Sequence, residues 1–252
     1  MTLQLTDVSK KFGGLTAIDR CSYSVVEGQI TCLIGPNGAG KTTSFNLISG
    51  LFAADSGEIR FQGQPIQGFS PQSIARLGIG RTFQVPRELN DITVLESVKM
   101  ALLNDKLETV FAPFFAPRAV AKREKELEIL ARDVLAETGL ETKIHHPIRA
   151  LSGGQKKLLE LARVLAFGAR FIMLDEPTAG VNPALIDDLV VLLRRLCAKG
   201  LTLFIVEHNM EFVRAISDHV IVMAEGRKLL DGSFDDIRAH PDVVDAYLGA
   251  VA

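Results

Sequence analysis

Apolar residues change their spacing along this chain, and each change predicts a different kind of element. Over the first third they form short alternating or β-branched runs, at residues 3–8, 21–26, 30–34 and 58–62. Gly13-Gly14, Glu27-Gly28 and the turn Asp55-Ser56-Gly57 separate these runs, which predicts strands joined by tight turns. From about Val85 to Ala150 the spacing becomes helical. Residues 120–138 place apolar side chains three and four apart with charges between them, and Gly139 stands where a helix C-cap is expected. From Leu151 onward the two patterns alternate: an amphipathic helix over 155–167, a buried strand over 171–174, a helix over 183–198 closed by Gly200, and a second buried strand over 201–206. The last residues, 242–252, read as a short helix. A β-α-β-α order predicts a largely parallel sheet, with the middle helical block inserted into it.

Composition narrows the picture. The chain has 252 residues, enough for one large α/β domain or two small ones, and 47% of them are hydrophobic, enough for a substantial core. A formal charge of -2 offers no basic footprint, so no nucleic-acid partner is expected. Cys21, Cys32 and Cys197 are odd in number, scattered, and without a CxxC pair, which argues against a disulfide framework or zinc site and for a reducing compartment. The opening Met1–Val8 alternates like a strand and lacks a basic then apolar leader, so no secretory signal is expected. No run approaches the roughly 18 apolar residues needed to cross a bilayer. The most apolar segment, 110–117, is broken by Pro113 and Pro117. Its Phe111, Phe114 and Phe115 admit two readings: a dock for a membrane partner, or a loop covering its own helical block. A role at a membrane requires docking onto another chain.

The strongest chemical signal is Gly35-Pro36-Asn37-Gly38-Ala39-Gly40-Lys41-Thr42-Thr43. It fits the phosphate-loop pattern GxxxxGK[ST], it follows an apolar strand, and it precedes a helical run over 43–48. Glycines let successive backbone N–H groups face one anion, and the helix start adds its positive dipole end. Lys41 is placed to reach the β- and γ-phosphates of ATP, and the Thr42 hydroxyl to ligate Mg²⁺. A second signal is the run Phe171-Ile172-Met173-Leu174 ending in Asp175-Glu176. Acids at the carboxyl end of a buried strand sit where α/β sheets bind ligands. Asp175 is the candidate Mg²⁺ ligand and Glu176 the candidate general base. A third is Leu151-Ser152-Gly153-Gly154-Gln155 at a helix start, where Ser152 can cap and the glycine N–H groups can hold a second anion. One nucleotide does not need two such helix starts in one chain. A head-to-tail pair of chains uses both, each ATP lying between one chain's phosphate loop and the partner's Ser-Gly-Gly.

The order of the phosphate loop, Leu151–Gln155, Asp175-Glu176 and His208 resembles that of ABC ATPases over nearly the whole chain. The resemblance implies a P-loop NTPase core with a mostly parallel sheet (about 1–84 and 151–252), an N-terminal antiparallel β subdomain, and an inserted helical subdomain at 85–150. It implies that Phe12 stacks on adenine, that Gln84 in Arg81-Thr82-Phe83-Gln84 senses Mg²⁺ and the γ-phosphate, and that His208 touches the γ-phosphate. It departs at Asn182, where many relatives carry an aspartate, so a role requiring a carboxylate there is in doubt. Several stretches resemble the importer ATPases for branched-chain or other hydrophobic amino acids: Phe12-Gly13-Gly14, Arg81–Gln84, Ala179–Pro183 and the ending 241–249. That group implies a second ATPase chain, identical or related, transmembrane permease subunits, a periplasmic solute-binding protein, and a peripheral place on the cytoplasmic face of the inner membrane. Lipopolysaccharide-exporter ATPases share the layout and the Tyr247-Leu248-Gly249 ending, and soluble ABC ATPases are the other alternative.

Overall fold

The computed structural model describes residues 2–82, 91–103 and 117–243. Two compact units divide the chain, one of residues 1–81, 170–179 and 183–252, the other of residues 82–169 and 180–182.

The first unit holds two sheets. Strands β1 (Leu3–Phe12), β2 (Leu15–Val25), β4 (Ser56–Phe61) and β5 (Gln64–Pro65) pair in the order β2-β1-β4-β5, all antiparallel. The first hairpin turns at Gly13-Gly14, with Phe12 opposite Leu15. The other sheet runs β10-β9-β3-β8-β7-β6, from β10 (Arg227–Gly232), β9 (His219–Ala224), β3 (Ile30–Ile34), β8 (Thr202–Val206), β7 (Phe171–Asp175) and β6 (Ile79–Arg81). Its strands are parallel except β10, which returns antiparallel to β9. The antiparallel N-terminal sheet and the parallel core expected from the sequence are both present.

Helices in this unit are α1 (Lys41–Ile48), α2 (Pro71–Arg76), α6 (Ile186–Ala198), α7 (Met210–Ile216) and α8 (Phe234–Arg238). Helix α1 starts two residues before the predicted run. The predicted helix over 183–198 is a 3₁₀ turn, Pro183–Leu185, followed by α6. The predicted end helix over 242–252 lies outside the described residues beyond Val243.

Strands β3 and β8 are buried along their whole length, as the continuous apolar runs require of a sheet covered on both faces. Period two sorts their side chains. Leu33, Phe171, Met173, Phe204, Val206, Ile221 and Met223 join one core with Leu3, Leu5, Val8 and Ile18 of the antiparallel sheet and Phe45 and Ile48 of α1. Phe204 stands at its centre, with ring centroids of Phe45 and Tyr23 at 4.9 and 5.9 Å. Full burial of such a ring is worth about 1.5–3 kcal/mol.

The second unit is helical: α3 (Val94–Leu102), α4 (Pro117–Glu137) and α5 (Gly153–Ala166). Thr93 and Glu96 close the start of α3 as a capping box. On α4, Leu127, Ala131 and Leu135 recur every four residues and are buried. Val94, Val98, Ala131, Leu135, Leu140, Ile148, Leu159 and Ala162 form one core. Sequence reading assigned the helix after Leu151 to the catalytic core; the structure places α5 with the helical unit, because its apolar stripe of Leu159 and Ala162 packs on α3 and α4. Among the described residues, no helix is long and apolar enough to cross a membrane.

Candidate functional site

Three adjacent parallel strands, β3, β8 and β7, end side by side, and each hands its next residues to the same edge. Leu33 lies opposite Val206, and Val206 opposite Asp175. The backbone continues the pairing past the strands, with Glu207 N donating to Leu33 O (3.3 Å) and Glu176 N to Val206 O (2.9 Å). The loop after β3 is Gly35–Gly40, the residues after β7 are Asp175 and Glu176, and those after β8 are Glu207 and His208. Residues 140 apart in the chain therefore meet because the strand order interposes β8 between β3 and β7.

The loop after β3 has the shape an anion cradle needs. Gly35 has φ +149°, and a Cβ there would lie 2.0 Å from Met223 O, so no side chain fits. Gly38 has φ +82° and faces open space, with no atom within 4 Å of where a Cβ would stand. Helix α1 then starts from Gly40 with no side chain capping it. An uncapped helix start beneath a glycine loop keeps its first N–H groups for a ligand. Lys41 is 9% exposed, and its ammonium donates to Gly35 O (2.7 Å) and Pro36 O (2.9 Å). Burial pushes its pKa below the ordinary lysine value, while the carboxylates of Glu176 and Asp175 pull it back up. Thr42 is exposed at the helix start, Thr43 half-buried beside it.

Asp175 is held by an unpredicted partner. Arg81, at the end of β6, donates from Nη2 to Asp175 Oδ2 (2.8 Å) and from Nη1 to Asn46 Oδ1 (2.6 Å) and Ser49 Oγ (3.1 Å) on α1. Its guanidinium carbon lies 5.6 Å from the Phe45 ring centroid. One buried cation thus ties the acidic end of β7 to the helix behind the phosphate loop. Glu176 takes φ +47°, a left-handed conformation unusual for a non-glycine residue. His208 Nδ1 is 3.8 Å from Glu176 Oε1.

Between them stands Glu207, fully buried. Its Oε1 accepts from Thr178 N (2.9 Å) and from the Thr178 hydroxyl, and its Oε2 from His208 N (2.8 Å) and Asn209 N (3.0 Å). Sequence reading gave no role to Arg81 or Glu207. A charged residue directly bounding a buried strand was the available signal at both.

Phe12 closes β1, half-exposed, edge-on to Phe52 at 5.2 Å, with the Lys10 ammonium 5.5 Å from its centroid. Ser152, Gly153, Gly154 and Gln155 belong to the helical unit and start α5. The Ser152 hydroxyl accepts from Gln155 N (3.3 Å), and Gln155 Oε1 accepts from Ser152 N (3.0 Å). Gly153 lies tight against Gly180, whose carbonyl would stand 3.1 Å from an added Cβ. Gln84 and the 110–116 segment lie outside the described residues.

Comparison with known proteins agrees with this geometry. Residues 18–179 match the family model described as ABC transporter, and residues 227–252 that described as branched-chain amino acid ATP-binding cassette transporter. The chain is 38% identical to the high-affinity branched-chain amino acid transport ATP-binding protein BraF of Pseudomonas aeruginosa, over 98% of its own length and 97% of that protein's. It is 40% identical to the probable branched-chain amino acid transport ATP-binding protein LivG of Archaeoglobus fulgidus, covering 98% and 95%. Among solved structures, a nucleotide-free ATP-binding cassette from an ABC transporter superimposes with a TM-score of 0.86 at 34% identity, covering 98% of each chain. A glycine loop, a strand-end acid pair and a histidine gathered at one sheet edge, in a chain matched over most of its length, leave one assignment: this protein belongs to the ABC transporter family and is an ATP-binding, ATP-hydrolysing cassette subunit.

Proposed function

We propose that this cassette hydrolyses ATP with Mg²⁺ as one half of a head-to-tail pair of ATPase chains, driving import of branched-chain or other hydrophobic amino acids. The observation that carries the catalytic part is the convergence of Lys41, Asp175, Glu176 and His208 on the carboxyl ends of β3, β7 and β8. The Gly35–Gly40 loop and the α1 start hold the β- and γ-phosphates, with Lys41 turning from its own loop carbonyls to the ligand. Phe12 offers an exposed ring to adenine.

Mg²⁺ is a hard cation that binds through one or two protein oxygens plus substrate phosphates and waters. The Thr42 hydroxyl and the Asp175 carboxylate supply such a donor set, and Gln84 is the further candidate. When bound, the ion neutralises charge on the β- and γ-oxygens. Glu176 takes the proton of the attacking water, and His208 donates to the γ-phosphate. The Ser152 hydroxyl and the Gly153 and Gly154 N–H groups complete the site from the second chain, identical or related. Support for this is that one chain carries two anion-ready helix starts, in two separate units.

Support for the cargo is the match of the last 26 residues, 227–252, to the branched-chain amino acid model, and the transport roles of the relatives. Transmembrane permease subunits and a periplasmic solute-binding protein are the partners this reading requires, with the cassette peripheral on the cytoplasmic face of the inner membrane. The test is affinity capture of the tagged chain from solubilised membranes, with uptake of labelled leucine in a strain lacking it. Permease partners and lost uptake support the reading. Capture with a lipopolysaccharide-export complex, or with ribosomes, favours one of the two alternatives instead.

A further inference from the structure

We propose that Glu207 is a positioning residue for hydrolysis: its buried carboxylate clamps the turn that carries Glu176 to the loop that carries His208. The proposal rests on the ATPase reading above and adds a residue that this reading does not use.

A carboxylate with no exposure is tolerated only where hydrogen bonds replace its water. Glu207 has four, shared evenly between its two oxygens. Oε1 takes the amide and hydroxyl of Thr178, two residues after Glu176, and Oε2 takes the amides of His208 and Asn209. Each oxygen therefore serves a different loop.

Both loops are also fixed on their far sides. Glu176 N bonds Val206 O, and Ala179 N bonds Glu176 O at 3.1 Å, so the turn between them is closed while Glu176 itself holds φ +47°. Asn209 caps α7 by accepting from Glu211 N and Phe212 N, both at 3.1 Å. His208 thus sits between a clamped amide and a helix cap, and its backbone has little freedom. Strain of the Glu176 kind persists only where surroundings over-determine it. The Glu207 clamp supplies that constraint and holds together the backbones from which the His208 and Glu176 side chains, 3.8 Å apart at Nδ1 and Oε1, extend.

Glu207→Gln tests this with little change of shape. An amide keeps one acceptor oxygen and turns the other into a donor, so one of the two donor pairs meets an NH₂ group. The expected result is a fall in kcat of about tenfold or more, with KM for ATP within about twofold, because the Lys41 loop is untouched. A structural role alone would cost the same in any background, so the deciding measurement is a double-mutant cycle with His208→Ala. In that background Glu207→Gln should lower kcat by no more than about threefold, since only Glu176 is then left to place. An equal loss in both backgrounds, or an unchanged kcat in the single variant, overturns the proposal. If Glu207→Gln does not fold, Thr178→Val removes one donor and keeps the backbone, and the same cycle applies with about a threefold effect. Normal turnover in Glu176→Gln would instead sink the base assignment, a separate result.

Discussion

Two helices of this chain begin with a loop suited to an anion, and they are finished in opposite ways. Helix α1 starts from Gly40, at φ +96°, with no side chain closing its end. Helix α5 starts from Ser152 with a complete capping box, each partner satisfying the other's amide. The first is an open end that a phosphate completes. The second is capped by its own side chains, so the helical unit can form it without any ligand while the Gly153 and Gly154 N–H groups stay outside the capping box. In its cap the Ser152 hydroxyl accepts, which does not use its proton, and that proton can be donated to a phosphate on another chain. In the head-to-tail pairing proposed above, the first site holds nucleotide and the second meets the nucleotide of a partner.

The largest effect expected from this division is at Glu176. Losing a general base costs about 10²–10⁴-fold in rate, so Glu176→Gln should abolish measurable turnover while ATP still binds. With the triphosphate intact, both helix starts stay engaged, and size-exclusion chromatography with ATP should show a stable dimer. A monomer under those conditions would break the comparison, since α5 would meet no partner's nucleotide. Next comes Lys41→Ala. Hydrogen bonds to charged groups contribute about 1.5–3 kcal/mol each, so losing two phosphate contacts should weaken ATP binding about 100-fold or more by calorimetry. Unchanged affinity would remove α1 from its role as the holding end.

How far these ends could be read from the sequence differs as well. The phosphate loop was legible because its chemistry is contiguous: the residues from Gly35 to Thr43 carry glycines, cation and hydroxyl at fixed offsets. The buried strands were legible as apolar runs, and Asp175-Glu176 as acids closing one of them. Strand order was not legible, since apolar periodicity says that a face is buried and not against what. For the same reason α5 was assigned to the wrong neighbour: Leu159 and Ala162 mark an apolar stripe, but only the structure shows Val94, Val98 and Ala131 filling it. Arg81 and Glu207 were missed because their meaning lies in partners far along the chain. Arg81 meets Asp175, 94 positions away, and Glu207 meets Thr178, 29 positions away. A lone charge beside a strand marks the position but not which distant residue it meets.

A smaller effect separates the two duties of Ser152. Aspartate caps a helix about as well as serine, so Ser152→Asp should leave the melting temperature within about 2 °C. It replaces a hydroxyl donor by a negative charge facing a phosphate, however, so ATP-dependent dimer formation should be lost while nucleotide affinity of the single chain is kept. Retained dimerisation would mean that the cap is the only task of this residue.

The smallest effect belongs to the cap alone. Gln155→Ala removes the side chain that accepts from Ser152 N and leaves the Ser152 hydroxyl bonded to the amide of residue 155. Alanine is at least as good a helix former as glutamine, so propensity offsets part of the loss. The net cost should be about 0.5 kcal/mol, seen as a fall of about 1–2 °C in melting temperature. Because the hydroxyl keeps its position, ATP-dependent dimerisation should change by less than about threefold. A loss of dimer as large as that from Ser152→Asp would show that Gln155 itself meets the partner's nucleotide, and the second helix start would then be no more self-contained than the first.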